Sequence, residues 1–407
     1  MRGCAICLLL CALLPALRAA DLTQEAFVWH RSWDAALVSS IQSAPTSLSR
    51  VVVLVAEAAW RDRQLRVARV TPDYVALRQS RMSVGLAVRI GAFPLTDTST
   101  ATRLSEFVAG ALSEARAQQL VPAEIQIDFD CPEAGLDAYR AWLHDLRPRL
   151  GTVPLTVTTL PCWLQHEQAF RRLASECDGF VLQVHSLESQ RDGTTAICHT
   201  NAACRAVAAA ATFGRPFRIA LPTYGYVAGF DQQGHLVGCA AEGPSLTWPE
   251  GTAMREIRTD PAAMASLVHA WTASPPRHCT GIIWYRLPCV SDRLNWSWPT
   301  LRAVMQGRAP QATLVAEVRT DPKELLDLTL VNRGDADASG PVAVTVRWHD
   351  ARQVLACDAL GGMEQRMLST NAVRFAGNPR VEPGKRCAIG WIRFRQTEET
   401  VPEITIE

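Results

Sequence analysis

Residues 124–160 read EIQIDFDCPEAGLDAYRAWLHDLRPRLGTVPLTVTTL, and this stretch decides the fold. Residues 124–130 form a strand in which Ile125, Ile127 and Phe129 share one face and Gln126, Asp128 and Asp130 the other, because side chains alternate along a strand. Residues 135–150 then carry apolar side chains at helical spacing, and 154–160 return to a β-branched run. Strand, helix, strand in this order predicts two parallel neighbours joined by a right-handed crossover.

The unit repeats along the chain. Strands are predicted at 26–29, 50–57, 83–90, 124–130, 154–160, 179–185, 217–224 and 281–286. Helical stretches between and after them include 102–120, 135–150, 165–176, 201–213, 261–273 and 299–305. Eight such units predict a (β/α)8 TIM-type barrel over residues 21–308. A doubly wound open sheet is the alternative, but no GxGxxG or P-loop follows the first strand. The long connection at about 226–259 reads as a hairpin insertion, with apolar runs either side of Asp231-Gln232-Gln233-Gly234. Residues 306–311 (QGRAPQ) form a linker, and 312–407 alternate like a small β-sandwich of the immunoglobulin-like class.

Composition fits this architecture. Of 407 residues, 48% are hydrophobic and 20% charged, which excludes a mainly disordered or fibrous chain. Lys+Arg is 41 and Asp+Glu 40, so a net charge of +1 offers no field for nucleic acid. Residues 1–20, MRGCAICLLLCALLPALRAA, read as a cleaved secretory signal peptide, which predicts a periplasmic or secreted protein. No later apolar stretch is long enough to span a membrane. Removing the leader takes three of the thirteen cysteines and leaves ten. An even count in an oxidising compartment predicts disulfides, with Cys131–Cys162, Cys279–Cys289, Cys357–Cys387 and a pairing among Cys198, Cys204 and Cys239 as the near choices. No zinc spacing is present, so neither a metal nor a cofactor is expected.

The chemistry centres on Asp128 and Asp130. Aspartate is a poor strand former, and two carboxylates one above the other in a barrel are costly to bury. Such a pair pushes its pKa values apart, as a general acid requires. Asp130 falls at the C-terminal end of its strand, where barrels place catalytic groups. Other strand ends converge on that mouth: Trp29, Glu57, Arg89, Gln183, His185, Tyr224, and Trp284 with Arg286. An aromatic there is a natural floor for a sugar ring. Each has a plainer reading: an aspartate holding Arg89, a Glu57–Arg89 pair, a histidine in the core or at the rim, a tryptophan that only packs.

Gln126-Ile-Asp128-Phe-Asp130 resembles the fourth-strand D-x-D-x-E signature of the chitinase-type glycoside hydrolases of family eighteen. The resemblance implies that Asp128 positions an N-acetyl group, that Asp130 protonates the glycosidic oxygen, and that Trp284 closes the sugar floor. FVWHRSW near residue 27, IQIDFDCP, LTVTTLPCW and ALPTYGY are also similar to a bacterial family of exported barrels known as domain of unknown function 3142. Two departures stand out: Gln126 replaces the first aspartate, and Asp130 is one methylene shorter than the terminal glutamate. The expected function is therefore an exported hydrolase acting on a cell-envelope or extracellular polysaccharide. The alternative is an inactive carbohydrate-binding or scaffold protein using the same cleft.

Overall fold

The computed structural model describes residues 22–407 except 63, 94, 96, 190–194, 242–246, 322–324, 350–352 and 396–401. The leader expected at 1–20 lies outside the described residues. Eight parallel strands form the barrel: β1 (Thr23–Val28), β2 (Leu48–Arg61), β3 (Ser83–Ile90), β4 (Glu124–Phe129), β5 (Leu155–Thr159), β6 (Gly179–Gln183), β7 (Phe217–Pro222) and β8 (Cys279–Tyr285). Each pairs with its chain neighbour, and β1 pairs with both β2 and β8, so the sheet closes and the open-sheet alternative is excluded.

Helices cover the outside. Thr98–Ala117, Leu136–Leu150, Glu167–Ser175, Thr200–Ala210, Pro261–Ala273 and Trp298–Met305 lie where the periodicity predicts them. In Leu136–Leu150 the buried residues Tyr139, Trp142, Leu143, Leu146 and Leu150 make one stripe at i, i+3, i+4 spacing. Two further helices, Ala35–Gln42 and Tyr74–Gln79, are too short for a clear period. Asp34 and Asp73 cap them by accepting from Leu37 N at 2.8 Å and Ala76 N at 2.9 Å. A β-hairpin formed by Gln64–Arg69 with the end of β2 was not foreseen either.

Inside, the barrel is layered. At its N-terminal end Arg218 donates to Glu25 and, through both terminal nitrogens at 2.7 Å, to Glu124, with all three side chains at most 7% exposed. Arg218 overcomes the burial that would raise the Glu124 carboxyl and holds it below its usual range. Phe27, Val52, Leu54, Ala87, Val181, Ala220 and Ile283 fill the middle. The upper layer is the mouth described below.

The connection after β7 is a three-stranded antiparallel sheet rather than a hairpin. Gly225–Phe230 is central, between Leu236–Ala240 and Ala253–Arg258. From within the last helix, Thr300 Oγ1 donates to Asp335 O at 2.7 Å, tying the barrel to the C-terminal unit. That unit is a β-sandwich of two four-stranded sheets sharing one core that includes Leu328, Val344, Phe375 and Ile392. Its chain-order pattern is 1-2-7-4 over 5-6-3-8, which departs from the strand order of immunoglobulin domains.

All ten cysteines of the described chain are thiols, so none of the expected pairings is formed. Geometry explains two of them. Cys357 is opposite Ile392, five residues along the strand from Cys387, which is about 17 Å at 3.4 Å per residue. Cys279 begins β8 and Cys289 lies beyond its other end. A disulfide needs Cα atoms within about 7 Å. Among the described residues no helix is long and apolar enough to cross a membrane.

Candidate functional site

The phase of β4 is as the sequence predicts. Ile125, Ile127 and Phe129 pack outward under the helices, while Gln126 and Asp128 point inward. Asp130 follows the strand end, with its side chain 45% exposed at the mouth. Arg89, directly opposite Asp128 on β3, bridges the pair: Nη1 donates to Asp128 Oδ2 and Nη2 to Asp130 Oδ2, each at 2.6 Å. Burial pushes the Asp128 carboxyl up, the Arg89 guanidinium opposes that rise, and the charge of Asp130 adds to it. Burial alone would lower Arg89, but its two carboxylate partners win and raise it. Beneath them Gln126 donates to Thr158 Oγ1 at 3.0 Å, and its buried Oε1 has no partner.

Glu57 does not pair with Arg89. The two stand opposite each other in the β2–β3 register, beyond a bulge between Leu54 and Ala56, but the Arg89 guanidinium turns to Asp128 and Asp130. Glu57 then accepts two bonds from Arg31, from Nε at 2.9 Å and Nη2 at 2.8 Å. Arg31 was absent from the predicted site because it lies in the loop after β1, where periodicity says nothing.

The opposite wall is aromatic and centres on Tyr285. Its ring is edge-on to Phe27, Trp29 and Tyr224 at 5.8, 5.5 and 5.4 Å, and stacks on His185 at 5.4 Å. His185 is buried, and burial pushes its pKa down to about 3, so it is neutral at ordinary pH. Its Nδ1 is 3.4 Å from Tyr224 Oη, which is 3.3 Å from Tyr226 Oη. Burial, followed by the neighbouring Tyr226, raises the Tyr224 phenol, which stays protonated. Gln183 faces inward and donates to His185 O at 3.2 Å.

Trp284 is a correction. It faces the helices, is fully buried, donates from Nε1 to Gln24 Oε1 at 2.8 Å and packs against Trp296. The inward face of β8 carries Ile283 and Tyr285. A strand buried on both faces has no polar side, so alternation cannot say which set points in. Tyr285 therefore takes the place expected of Trp284. Arg286 is buried as well, donating to Asp292 Oδ2 from Nε at 2.7 Å and to Ala241 O at 3.0 Å, with its guanidinium over the Tyr224 ring. It ties the insertion to the loop after β8. Among the described residues no group of three His, Cys, Asp or Glu side chains could hold a metal ion.

Beside the mouth lies a cleft of about 910 Å³, between the loops after β1 and β8 and the insertion. Trp29 and Arg286 line both mouth and cleft, whereas Asp128, Asp130 and Arg89 do not line the cleft.

The family model of domain of unknown function DUF3142 matches residues 82–290, from the start of β3 to the loop after β8 and just over half of the 407 residues. The chain belongs to the DUF3142 family. The DUF3142 match contains β4, Arg89, His185, Tyr224, Tyr285 and Arg286, while Phe27 and Trp29 of the aromatic wall precede it. A second model, domain of unknown function DUF8456, matches residues 315–395 in the sandwich. No curated protein matches the chain. Solved structures similar to this DUF3142 barrel include the spore cortex-lytic enzyme SleL of Bacillus megaterium QM B1551, 12% identical over 65% of this chain and 70% of that one, with a TM-score of 0.48. Chitinase ChiA74 from Bacillus thuringiensis is 9% identical over 95% and 100%, with a TM-score of 0.46. A chitinase from Chromobacterium violaceum is 12% identical over 70% and 98%, at 0.49. The DUF3142 barrel itself rests on its own strand pairings.

Proposed function

We propose that this protein acts outside the cytoplasm as a glycoside-hydrolase-like barrel that binds a cell-envelope or extracellular polysaccharide at its mouth without cleaving it. The observation that carries this reading is the bridge from Arg89 to both Asp128 and Asp130. Arg89 holds Oδ2 of each carboxylate, whereas a general acid must bring a carboxyl oxygen within hydrogen-bond reach of its substrate. Such a bridge opposes the donor role, while the polar groups and the half-buried ring of Tyr285 still offer a sugar both hydrogen bonds and an aromatic face.

Hydrolysis is the second reading, favoured by one feature. Asp130 stands half exposed at the end of β4, on the position that in the chitinase-type signature protonates the leaving oxygen. The two readings separate in one experiment. The secreted form is mixed with peptidoglycan and exopolysaccharide fragments, and both bound and released saccharide are measured for the native chain and Asp130→Asn. Binding without released ends in either protein supports the binder. Release by the native chain that Asp130→Asn abolishes replaces it with the hydrolase.

A further inference from the structure

The C-terminal sandwich carries an aromatic ring among polar side chains on an open sheet face, and strand register fixes which groups share it. One of its sheets runs, in spatial order, Leu314–Asp321, Leu325–Asn332, Arg386–Phe394 and Val354–Ala359. Leu326, Leu328, Ile392 and Phe394 point into the core, and Cys357 and Ala359 pack against it. Alternation therefore turns Asp327, Trp391, Arg393 and Asp358 to the outer face. Asp327 stands opposite Arg319 on one side and Trp391 on the other, and Trp391 stands opposite Asp358. These four make one row across all four strands, about 14 Å long at about 4.8 Å per strand spacing. The Arg393 guanidinium lies over the Trp391 ring, 5.9 Å from its centroid, as two groups on one face require.

The row is open to solvent. Arg319, Asp327, Asp358 and Arg393 are exposed, and Trp391 is half-buried. The barrel's bond from Thr300 ends on Asp335, beyond Asn332, and Asp327 lies five residues back along that strand, about 17 Å away at 3.4 Å per residue. Nearer the barrel the same face closes its charges in pairs, with Arg333 and Arg386 both on Glu317. In the row, Arg319, Asp327 and Arg393 make no ion pair among the described residues.

Two carboxylates and two guanidiniums around one indole sum to no net charge. Carboxylates only accept hydrogen bonds and guanidiniums only donate them, whereas a sugar hydroxyl does both. The C–H face of a sugar ring packs on an indole. A neutral saccharide matches all of these groups, while a polyanion is opposed by Asp327 and Asp358 and a polycation by Arg319 and Arg393. We infer that this row is a platform for a neutral polysaccharide, laid across the strands on Trp391, which holds the barrel at the surface of an insoluble polymer. The platform binds whether or not the mouth takes the same polymer. Where both do, the second contact is intramolecular and retention exceeds that of either alone.

The test is retention of the full chain on three neutral solids, chitin, cellulose and β-1,3-glucan, with the melting temperature of each variant measured alongside. On a solid that retains the native chain, Trp391→Ala and the double variant Asp327→Asn/Asp358→Asn are each expected to raise the dissociation constant about tenfold, and Trp391→Tyr to keep most of the binding. The double variant changes only exposed groups and decides the matter if Trp391→Ala fails to fold. Salt at about 0.5 M, where screening is short-ranged, is expected to change little. Release by that salt means adsorption by charge and overturns the platform. If Trp391→Ala and the double variant are retained like the native chain, the platform falls, and a loss in Tyr285→Ala then leaves the mouth standing. A loss in Trp391→Ala but not in Tyr285→Ala supports the platform and removes the mouth as a contact for that polymer. If none of the three solids retains the native chain, the platform falls whatever soluble fragments show at the mouth. Self-association that Trp391→Ala abolishes, with retention unchanged, assigns the face to a second copy and overturns it as well.

Discussion

Arg89 and Asp128 occupy opposed positions on β3 and β4, and Nη1 of the first meets Oδ2 of the second at 2.6 Å. The aspartate is almost fully buried, while the arginine side chain is 34% exposed. The carboxylate has left water and depends on its partner for compensation. Removing that partner leaves a buried charge unpaired, a change that typically costs about 3 kcal/mol. Arg89→Met is therefore expected to lose stability of that order at neutral pH. The sign with pH follows from Asp128, whose carboxyl burial already pushes up. Without Arg89 it rises further, so the folded variant gains by taking a proton and the deficit shrinks as pH falls through the raised pKa. Urea denaturation at pH 7 and pH 4.5 checks this, and a deficit of equal size at both would contradict it. Asp128→Asn in the Arg89→Met background should recover much of the loss.

His185 provides a second pH dependence of opposite sense. Burial between Tyr224 and Tyr285 pushes its folded pKa down to about 3, whereas the unfolded chain binds the proton near 6.5. Its stabilising contribution is complete above pH 6.5 and is lost as pH falls from there toward about 3, at up to roughly 1.4 kcal/mol per pH unit. His185→Gln is expected to flatten the fall in denaturation midpoint between pH 6.5 and 4. Parallel curves for variant and native chain would rule His185 out as the source.

Trp284 and Tyr285 are expected to separate stability from binding. Trp284 fills the layer between barrel and helices and hydrogen-bonds Gln24, so Trp284→Ala should cost about 3–5 kcal/mol. The milder Trp284→Phe should lower the melting temperature and leave saccharide affinity intact. Tyr285→Ala opens the mouth itself and should weaken affinity beyond its effect on stability. Thermal melts paired with calorimetry decide it. Equal losses of affinity in Trp284→Phe and Tyr285→Ala would restore Trp284 as a sugar contact.

Much of this was legible one residue at a time. The eight barrel strands were readable because each is a short apolar run set between helical stretches, and β4 announced its inward face by placing Gln126 and Asp128 against Ile125, Ile127 and Phe129. Where a strand is apolar on both faces, as in β8, the pattern had no phase, and Trp284 was assigned to the wrong side. Strand position did not settle the partnership of Glu57 either: it stands opposite Arg89, yet its carboxylate accepts from Arg31 in the loop after β1 while Arg89 turns to the two aspartates. Arg31 lies outside the periodic elements, in the loop after β1, where alternation gives it no position.

The sequence by itself determined the barrel, the sandwich and the pair of aspartates at the end of the fourth strand, because alternation and helical period are local and survive without knowledge of neighbours. Only the tertiary structure decided what those aspartates touch. Arg89 is 39 residues from Asp128, and the parallel pairing of β3 with β4 sets the two opposite each other in register. That register brings a guanidinium onto both carboxylates. Closure of the barrel puts Tyr285 and Trp29 face to edge across the seam between the last strand and the first. Charge compensation and ring packing act through space over a few ångströms, so their outcome is fixed by which strands become neighbours and not by the order of residues within any one of them.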